Sequence, residues 1–211
     1  MVSVKGGPGV TETHDISAIE ARLQAFERRA AQQPGRAAAV AISLLQVADG
    51  VWSFPLTVRS SGLRVHAGQY ALPGGRISPG ETALDADARE TAEEVGLPES
   101  LWHRHYLLDD YVTRSGHVIT PVVLVGDAPA PELRPNPAEV RDAFYVAMGE
   151  LGAVEQRAAY DDSGDRAFAL HVAGDLVFAP TGGILLQFRD AALRGVTTRV
   201  QHVGEPVFAW S

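Results

Sequence analysis

The run from Gly75 to Leu97 constrains this chain more than any other stretch, because it sets four glutamates, an arginine and two bounding glycines at fixed spacing on one short loop and helix. Leu84, Ala88, Ala92 and Val95 recur at helical spacing and form a narrow apolar stripe that can pack on a core, with Thr91 on the same stripe. Ser78, Pro79 and Glu81 fit an N-cap, a first helical position and the returning acid of a capping box, and Gly96 followed by Pro98 fits the stop. Glu90, Glu93 and Glu94 then project together from the side opposite the stripe.

Like charges three and four residues apart destabilise a helix by about 0.2–0.5 kcal/mol per pair, and Asp87 adds to the crowding. Arg89 can pair with Asp85 or Glu93 across one turn, but a single guanidinium cannot neutralise four carboxylates. An oxygen-only ligand set of this kind suits a hard divalent ion, Mg²⁺ or Mn²⁺, which keeps waters and binds substrate phosphates.

The arrangement resembles the Nudix box, the signature of hydrolases that split a nucleoside diphosphate linked to another group. Every charged and glycine position of that pattern is matched, and Thr91 alone stands where the family has an aliphatic residue. The resemblance implies that Glu90, Glu93 and Glu94 are metal ligands, with the carbonyl of Gly75 as a further one. It makes Arg89 the group that orients the glutamates and gives Glu81 the task of fixing or polarising water.

Immediately upstream, Leu56-Thr57-Val58-Arg59-Ser60-Ser61, Arg64, Gly68 and Leu72-Pro73-Gly74-Gly75 are similar to the extra motif of the coenzyme A pyrophosphatase branch of that family. Pro55 and Leu72 depart from it, where a leucine and a phenylalanine are usual, and neither change removes a polar group. Coenzyme A carries a 3′-phosphate besides its diphosphate, so a specific enzyme needs fixed cations. Arg59 and Arg64 supply them, with Ser60 as a hydroxyl donor. Downstream, Pro121-Val122-Val123 and the stretch from Leu133 to Val140 also resemble that branch, although His117 and Ala147 depart from it.

With 211 residues the expectation is one domain over residues 16–211, preceded by a flexible start at 1–15. Cysteine is absent, which excludes a disulfide framework and a thiolate zinc site. Residues 1–15 lack the apolar core of a signal peptide, and no apolar run approaches membrane-spanning length, so the expected location is cytoplasmic. A net charge of -8 argues against a nucleic-acid surface and also repels an anionic substrate, which a bound dication and local arginines must overcome.

Residues 16–31 read as an amphipathic helix ended by Gln33-Pro34-Gly35, and Asp49-Gly50 joins 37–47 and 51–58 into a hairpin. Strands are expected near 105–113, 118–125 and 143–146, with a proline-rich loop over 128–137. Another strand within 170–178 is interrupted at Gly174-Asp175, and 182–192 reads as a closing helix. The sum is an α/β fold, a Nudix-type α/β/α sandwich around a mixed sheet. Residues 196–211 are available to cover a sheet edge or a partner, and a homodimer is compatible with the sequence.

The leading functional expectation is metal-dependent hydrolysis of coenzyme A or a derivative to 3′,5′-ADP and 4′-phosphopantetheine. Glu139, in the loop after the core strands, reads as the base, as an additional metal ligand or as an exposed glutamate beside Arg141, and Glu90 is the alternative base. ADP-ribose, a dinucleotide or a nucleoside triphosphate is the alternative substrate. A ligand sensor without turnover is the reading from another class. His66 reads as a loop or surface histidine, and His103 with His105 lacks a third metal ligand.

Overall fold

The computed structural model describes residues 3–5, 11–60, 68–153, 156–160 and 166–200. In chain order the first half comprises β1 (Val4–Lys5), α1 (Ile16–Gln24), β2 (Arg36–Ala48), β3 (Val51–Arg59), β4 (Tyr70–Ala71), β5 (Gly74–Arg76) and α2 (Ala83–Val95). A 3₁₀ turn (Glu99–Leu101) leads into β6 (Trp102–Leu107), β7 (Tyr111–Val112), β8 (His117–Pro129), β9 (Val140–Ala147) and α3 (Met148–Ala153). The last part holds β10 (Gln156–Tyr160), β11 (Arg166–Val172), β12 (Asp175–Phe178), α4 (Thr181–Phe188) and a wide π turn (Arg189–Arg194).

The central sheet follows the order β1-β9-β3-β2-β8-β6, with β4, β5 and β7 attached to β3, β2 and β8. It is mixed: β2 runs parallel to β8 from Arg36 opposite His117 to Leu44 opposite Val125, β1 is parallel to β9, and the remaining pairs are antiparallel. β10, β11 and β12 make a separate antiparallel sheet.

Alternation along β2 distributes its side chains to two cores, as the period of a strand requires. Ile42 and Leu44 join Phe54, Leu56, Ile19, Ile184 and Phe188 on the face covered by α1 and α4. Ala41 and Leu45 face the other way, toward Leu84, Val95 and Leu97 of α2 and its C-terminal loop. The architecture is therefore the α/β/α sandwich expected. Among the described residues no helix is long and apolar enough to cross a membrane.

One irregularity of the sheet builds the site. β2 and β3 pair only from Leu45 opposite Ser53 to Ala48 opposite Val51, beside the left-handed Gly50. Beyond that they diverge, and β4 and β5 fill the wedge, pairing with β3 and β2 respectively. The Pro73 carbonyl accepts from Ala41 N–H at 2.8 Å and pins the connection between them.

Several elements end elsewhere than their sequence suggests. α1 stops at Gln24 rather than near 31, because the N–H groups of Arg29 and Ala31 are given to the carboxylates of Asp109 and Asp110 at 2.7 and 2.9 Å. Those same acids, buried, end β6 at Leu107. β8 continues to Pro129, past a register shift opposite β2, so the proline-rich loop starts later than 128. The interruption at Gly174 is a hairpin turn with Ala173 at φ 53° and Gly174 at φ 91°, joining β11 to β12. α4 ends at Phe188, and the π turn carries the chain on to Arg194.

Candidate functional site

α2 starts at Ala83, four residues later than a Ser78 cap would have it. Thr82 is the cap: its hydroxyl accepts from Asp85 N–H, and the Asp85 carboxylate accepts from Thr82 N–H at 2.9 Å. Ser78 and Glu81 close the turn just before the helix, with Ser78 N–H donating to the Glu81 carboxylate at 2.8 Å and Glu81 N–H donating to the Ser78 carbonyl. The acid of the expected capping box thus serves a turn and is freed from the helix end.

Glu81 is then caught by Arg89. The guanidinium donates to both Glu81 oxygens at 2.9 and 3.2 Å, to Glu90 at 2.7 Å, to Glu93 at 3.4 Å and to the Arg76 carbonyl at 3.2 Å. Asp85, one of the partners expected for Arg89, is taken by Thr82 instead. The Arg89 hydrogen bonds, followed by the Ser78 N–H, hold the Glu81 carboxyl down at about 2. Its planar fork is the reason one cation can serve three acids.

On the other side of the helix surface, Glu90, Glu94 and Glu139 offer carboxylate oxygens all within 4.8 Å of one another. The loop before β9 brings Glu139 there. Arg134 N–H and Asn136 N–H donate to the Val95 and Glu94 carbonyls at the end of α2, both at 2.9 Å, and Ser60 N–H donates to the Glu139 carbonyl at 2.8 Å. Glu93 stays outside this group, 57% exposed at its side chain and facing Arg89.

Two glycines make room. A Cβ on Gly75 would lie 2.3 Å from a Glu90 carboxylate oxygen, so Glu90 occupies the space that a side chain would need. Gly74, at φ 155°, would place its Cβ 2.3 Å from the Ala39 carbonyl. Its N–H donates to Glu94 at 3.2 Å.

Glu94 is 3% exposed, and its carboxyl is pushed up to about 7. Burial is the main cause, aided by the charges of Glu90 and Glu139 and opposed by the Gly74 N–H and the charge of Arg59. Asp87, expected on the crowded acidic side, is fully buried among the packed residues of α2, and neither oxygen has a hydrogen-bond partner among the described residues. Burial and the neighbouring Glu90 raise its carboxyl well above the usual range. At about 100° per residue, position 87 lies at the edge of the inner stripe, between Thr91 and Glu94, and that arithmetic was readable from the sequence.

Arg59, at the end of β3, acts on both this group and an adjoining cleft. Its charge reaches Glu94, its side chain lines the cleft, and its buried Nε has no hydrogen-bond acceptor among the described residues. Arg64, with Ser61 and His66, lies outside the described residues. The cleft also takes in Tyr70, His117, Thr181 and Ile184. No motif joined these residues, since strand register and the C-terminal fold bring them together.

Comparison with known proteins identifies the family. The NUDIX domain family model matches residues 35–168. An uncharacterized Nudix hydrolase, NudL, of Photorhabdus laumondii is 40% identical over 96 residues, which cover 45% of this chain and 51% of that protein. Nudix hydrolase 3 of Caenorhabditis elegans is 38% identical over 118 residues, covering 54% and 49%. The chain spans about half the length of these curated relatives. Among solved structures, a Nudix hydrolase from M. smegmatis, RenU, is 22% identical, covering 55% of this chain and 73% of that one with a TM-score of 0.45. With the family model matching well over half of its residues, the chain belongs to the NUDIX domain family.

Proposed function

We propose that this chain hydrolyses the diphosphate of coenzyme A, or of an acyl or oxidised derivative, to 3′,5′-ADP and the corresponding 4′-phosphopantetheine, with Mg²⁺ or Mn²⁺ bound. The observation that carries the reading is the group Glu90, Glu94 and Glu139 beside Arg59. Three carboxylates within 4.8 Å of one another, one of them buried and pushed up to about 7, form a hard-oxygen donor set that a divalent cation fits. Bound there, with the Gly75 carbonyl as a further candidate ligand, such a cation supplies neutralisation of charge on the diphosphate oxygens and orientation of water.

The chain's own residues do the rest. Arg89 holds Glu90 and Glu81 in fixed directions, and Glu93 steadies Arg89 from the exposed side. Hydrolysis breaks one phosphorus–oxygen bond of the bridge, adds the oxygen of water to that phosphorus and requires a base to take the water proton. We assign that task to Glu139, which leaves Glu90 and Glu94 of the group to hold the cation. Glu90 already accepts from Arg89 at 2.7 Å, whereas the Glu139 carboxylate has no hydrogen-bond donor on it among the described residues. Arg59 Nε, buried and without an acceptor among the described residues, supplies a donor to a phosphate oxygen. The coenzyme A assignment rests on the motif around Arg59 and Ser60.

The test is Mg²⁺- or Mn²⁺-dependent release of 3′,5′-ADP from coenzyme A by wild type and by Glu94→Gln, with ADP-ribose and dephospho-coenzyme A in the same panel. Unchanged turnover in the variant would sink the mechanism. Equal use of ADP-ribose would replace coenzyme A with a broader substrate class.

A further inference from the structure

A cleft of about 240 Å³ lies beside the acidic group, against the sheet face covered by α1 and α4. Ala38 and Val40 of β2 and Ile119 of β8, paired with Ala38, give it a sheet floor, and Leu72, Thr181 and Ile184 also line it. Gly74 lines it too, and donates its N–H to Glu94, so the cleft opens directly onto the group assigned to the diphosphate.

The far end has a different chemistry. Val40 pairs with Gly74 and Arg36 with His117, so the floor extends four residues along β2, about 13 Å of strand. There Thr113 and Ser115 share a hydroxyl hydrogen bond at 3.0 Å, and Ser115 Oγ lies 3.1 Å from His117 Nδ1. A ligand reaching from Gly74 to this point crosses aliphatic side chains and then meets hydroxyl and imidazole groups.

Arg59 and His117 bring planar groups to the lining, but the floor between them is aliphatic and gives a nucleobase no plane to stack on. Among the described residues of the lining, Tyr70 is the only benzene ring. It packs edge-on against Phe144, with centroids 6.2 Å apart at 77°, and its hydroxyl is bonded to Asp175 of β12. The cleft suits a slender aliphatic arm with an amide or hydroxyl some way from its phosphate.

We propose that this cleft is the specificity site for the arm on the non-nucleotide side of the diphosphate, an aliphatic, amide-bearing chain of the pantetheine type, with Ser115 and His117 hydrogen-bonding its polar group. The proposal rests on the coenzyme A reading above and says which half of the substrate is recognised here. Thr181 and Ile184 lie beyond residues 35–168, so this wall belongs to the part of the chain outside the family match.

The experiment is calorimetric titration of the whole chain, in Mg²⁺, with 4′-phosphopantetheine and separately with 3′,5′-ADP. Ala38 is only partly buried on the cleft floor, so Ala38→Phe fills the space, and Ala38→Leu does so more mildly if the larger ring lowers the melting temperature. Filling is expected to weaken 4′-phosphopantetheine at least about tenfold while leaving 3′,5′-ADP unchanged. Joint replacement Ser115→Ala with His117→Ala is expected to weaken the same ligand about tenfold. Failure of 4′-phosphopantetheine to bind wild type, or equal weakening of both ligands, overturns the proposal. Absence of coenzyme A turnover with intact 4′-phosphopantetheine binding overturns the activity and leaves the arm site standing.

Discussion

Glu94→Gln separates the cost of this carboxylate in the fold from its value to a bound cation. In the fold its carboxyl sits at about 7 against an ordinary 4.5. An acid whose folded value is raised contributes stability that is complete below its unfolded value and is lost as pH rises through the folded one. The window here runs from 4.5 to about 7. At about 1.36 kcal/mol per pH unit that is roughly 3 kcal/mol, in a side chain that is 3% exposed and little screened by solvent. Glutamine keeps an oxygen for the Gly74 N–H and carries no proton to lose. Thermal unfolding in a chelator should therefore show the variant close to wild type below pH 4.5 and more stable above pH 7, by about 6–12 °C for a chain of this size. Mg²⁺ at a thousand times its Kd reverses the order, since it adds about 4.1 kcal/mol to wild type alone. A difference between variant and wild type that does not change with pH would refute the reasoning, whatever happens to activity.

Asp87→Ala removes a buried carboxyl with no hydrogen-bond partner among the described residues and should stabilise the chain by about 1–3 kcal/mol, read by urea unfolding. Because the Asp87 carboxyl is also raised, the gain should grow as pH rises above the ordinary carboxylate range, and a destabilised variant would show that the group is paired. Gly75→Ala puts a methyl 2.3 Å from Glu90, so cation affinity measured by titration should fall about 10–100-fold with little change in melting temperature. Arg89→Lys keeps the charge but cannot span Glu81, Glu90 and Glu93, and kcat should fall by a similar about 10–100-fold, with unchanged kcat counting against the orienting role. Chelation of divalent ions should abolish release of 3′,5′-ADP and lower the melting temperature above pH 7, with both restored by Mg²⁺ or Mn²⁺.

What the sequence discloses about this fold follows the range of the forces involved. The hairpin at Asp49-Gly50 and the end of α2 at Gly96 are local, set by residues that tolerate positive φ, and both stand where expected. The end of α1 is not local. Residues 26–31 could continue the helix by composition, and they leave it because Asp109 and Asp110, some eighty residues away, accept their backbone N–H groups. The start of α2 shows a nearer competition: Ser78 and Thr82 both offer capping oxygens, and Glu81 is drawn into the turn and onto Arg89. The acidic group was legible as residue types and spacing, yet the choice of Glu139 over Glu93 depends on how 134–139 docks against the end of α2. The cleft was not legible, because its walls come from β2, β4, β8 and α4 and no periodicity links them.

Charge balance explains why these acids are divided as they are. Glu81, Glu90, Glu93, Glu94 and Glu139 face two guanidiniums, Arg89 and Arg59, which leaves a deficit of three when every carboxyl is ionised. Arg89 is spent on the three acids that lie toward the box loop and the exposed side of α2. Arg59 reaches Glu94 only through space, and no hydrogen bond joins them among the described residues. The deficit therefore falls on Glu94 and Glu139; it is most costly at Glu94, which is buried while Glu139 is exposed, and the fold responds by holding a proton on Glu94 near neutrality. A divalent cation held there would compete with that proton and offset the charge of Glu90, Glu94 and Glu139, so binding and proton release would be one event. The acid limb of the rate profile should then move to lower pH as Mg²⁺ concentration is raised, because each increment of cation competes with the same proton. A limb fixed near one pH at every Mg²⁺ concentration would assign the titration to another group.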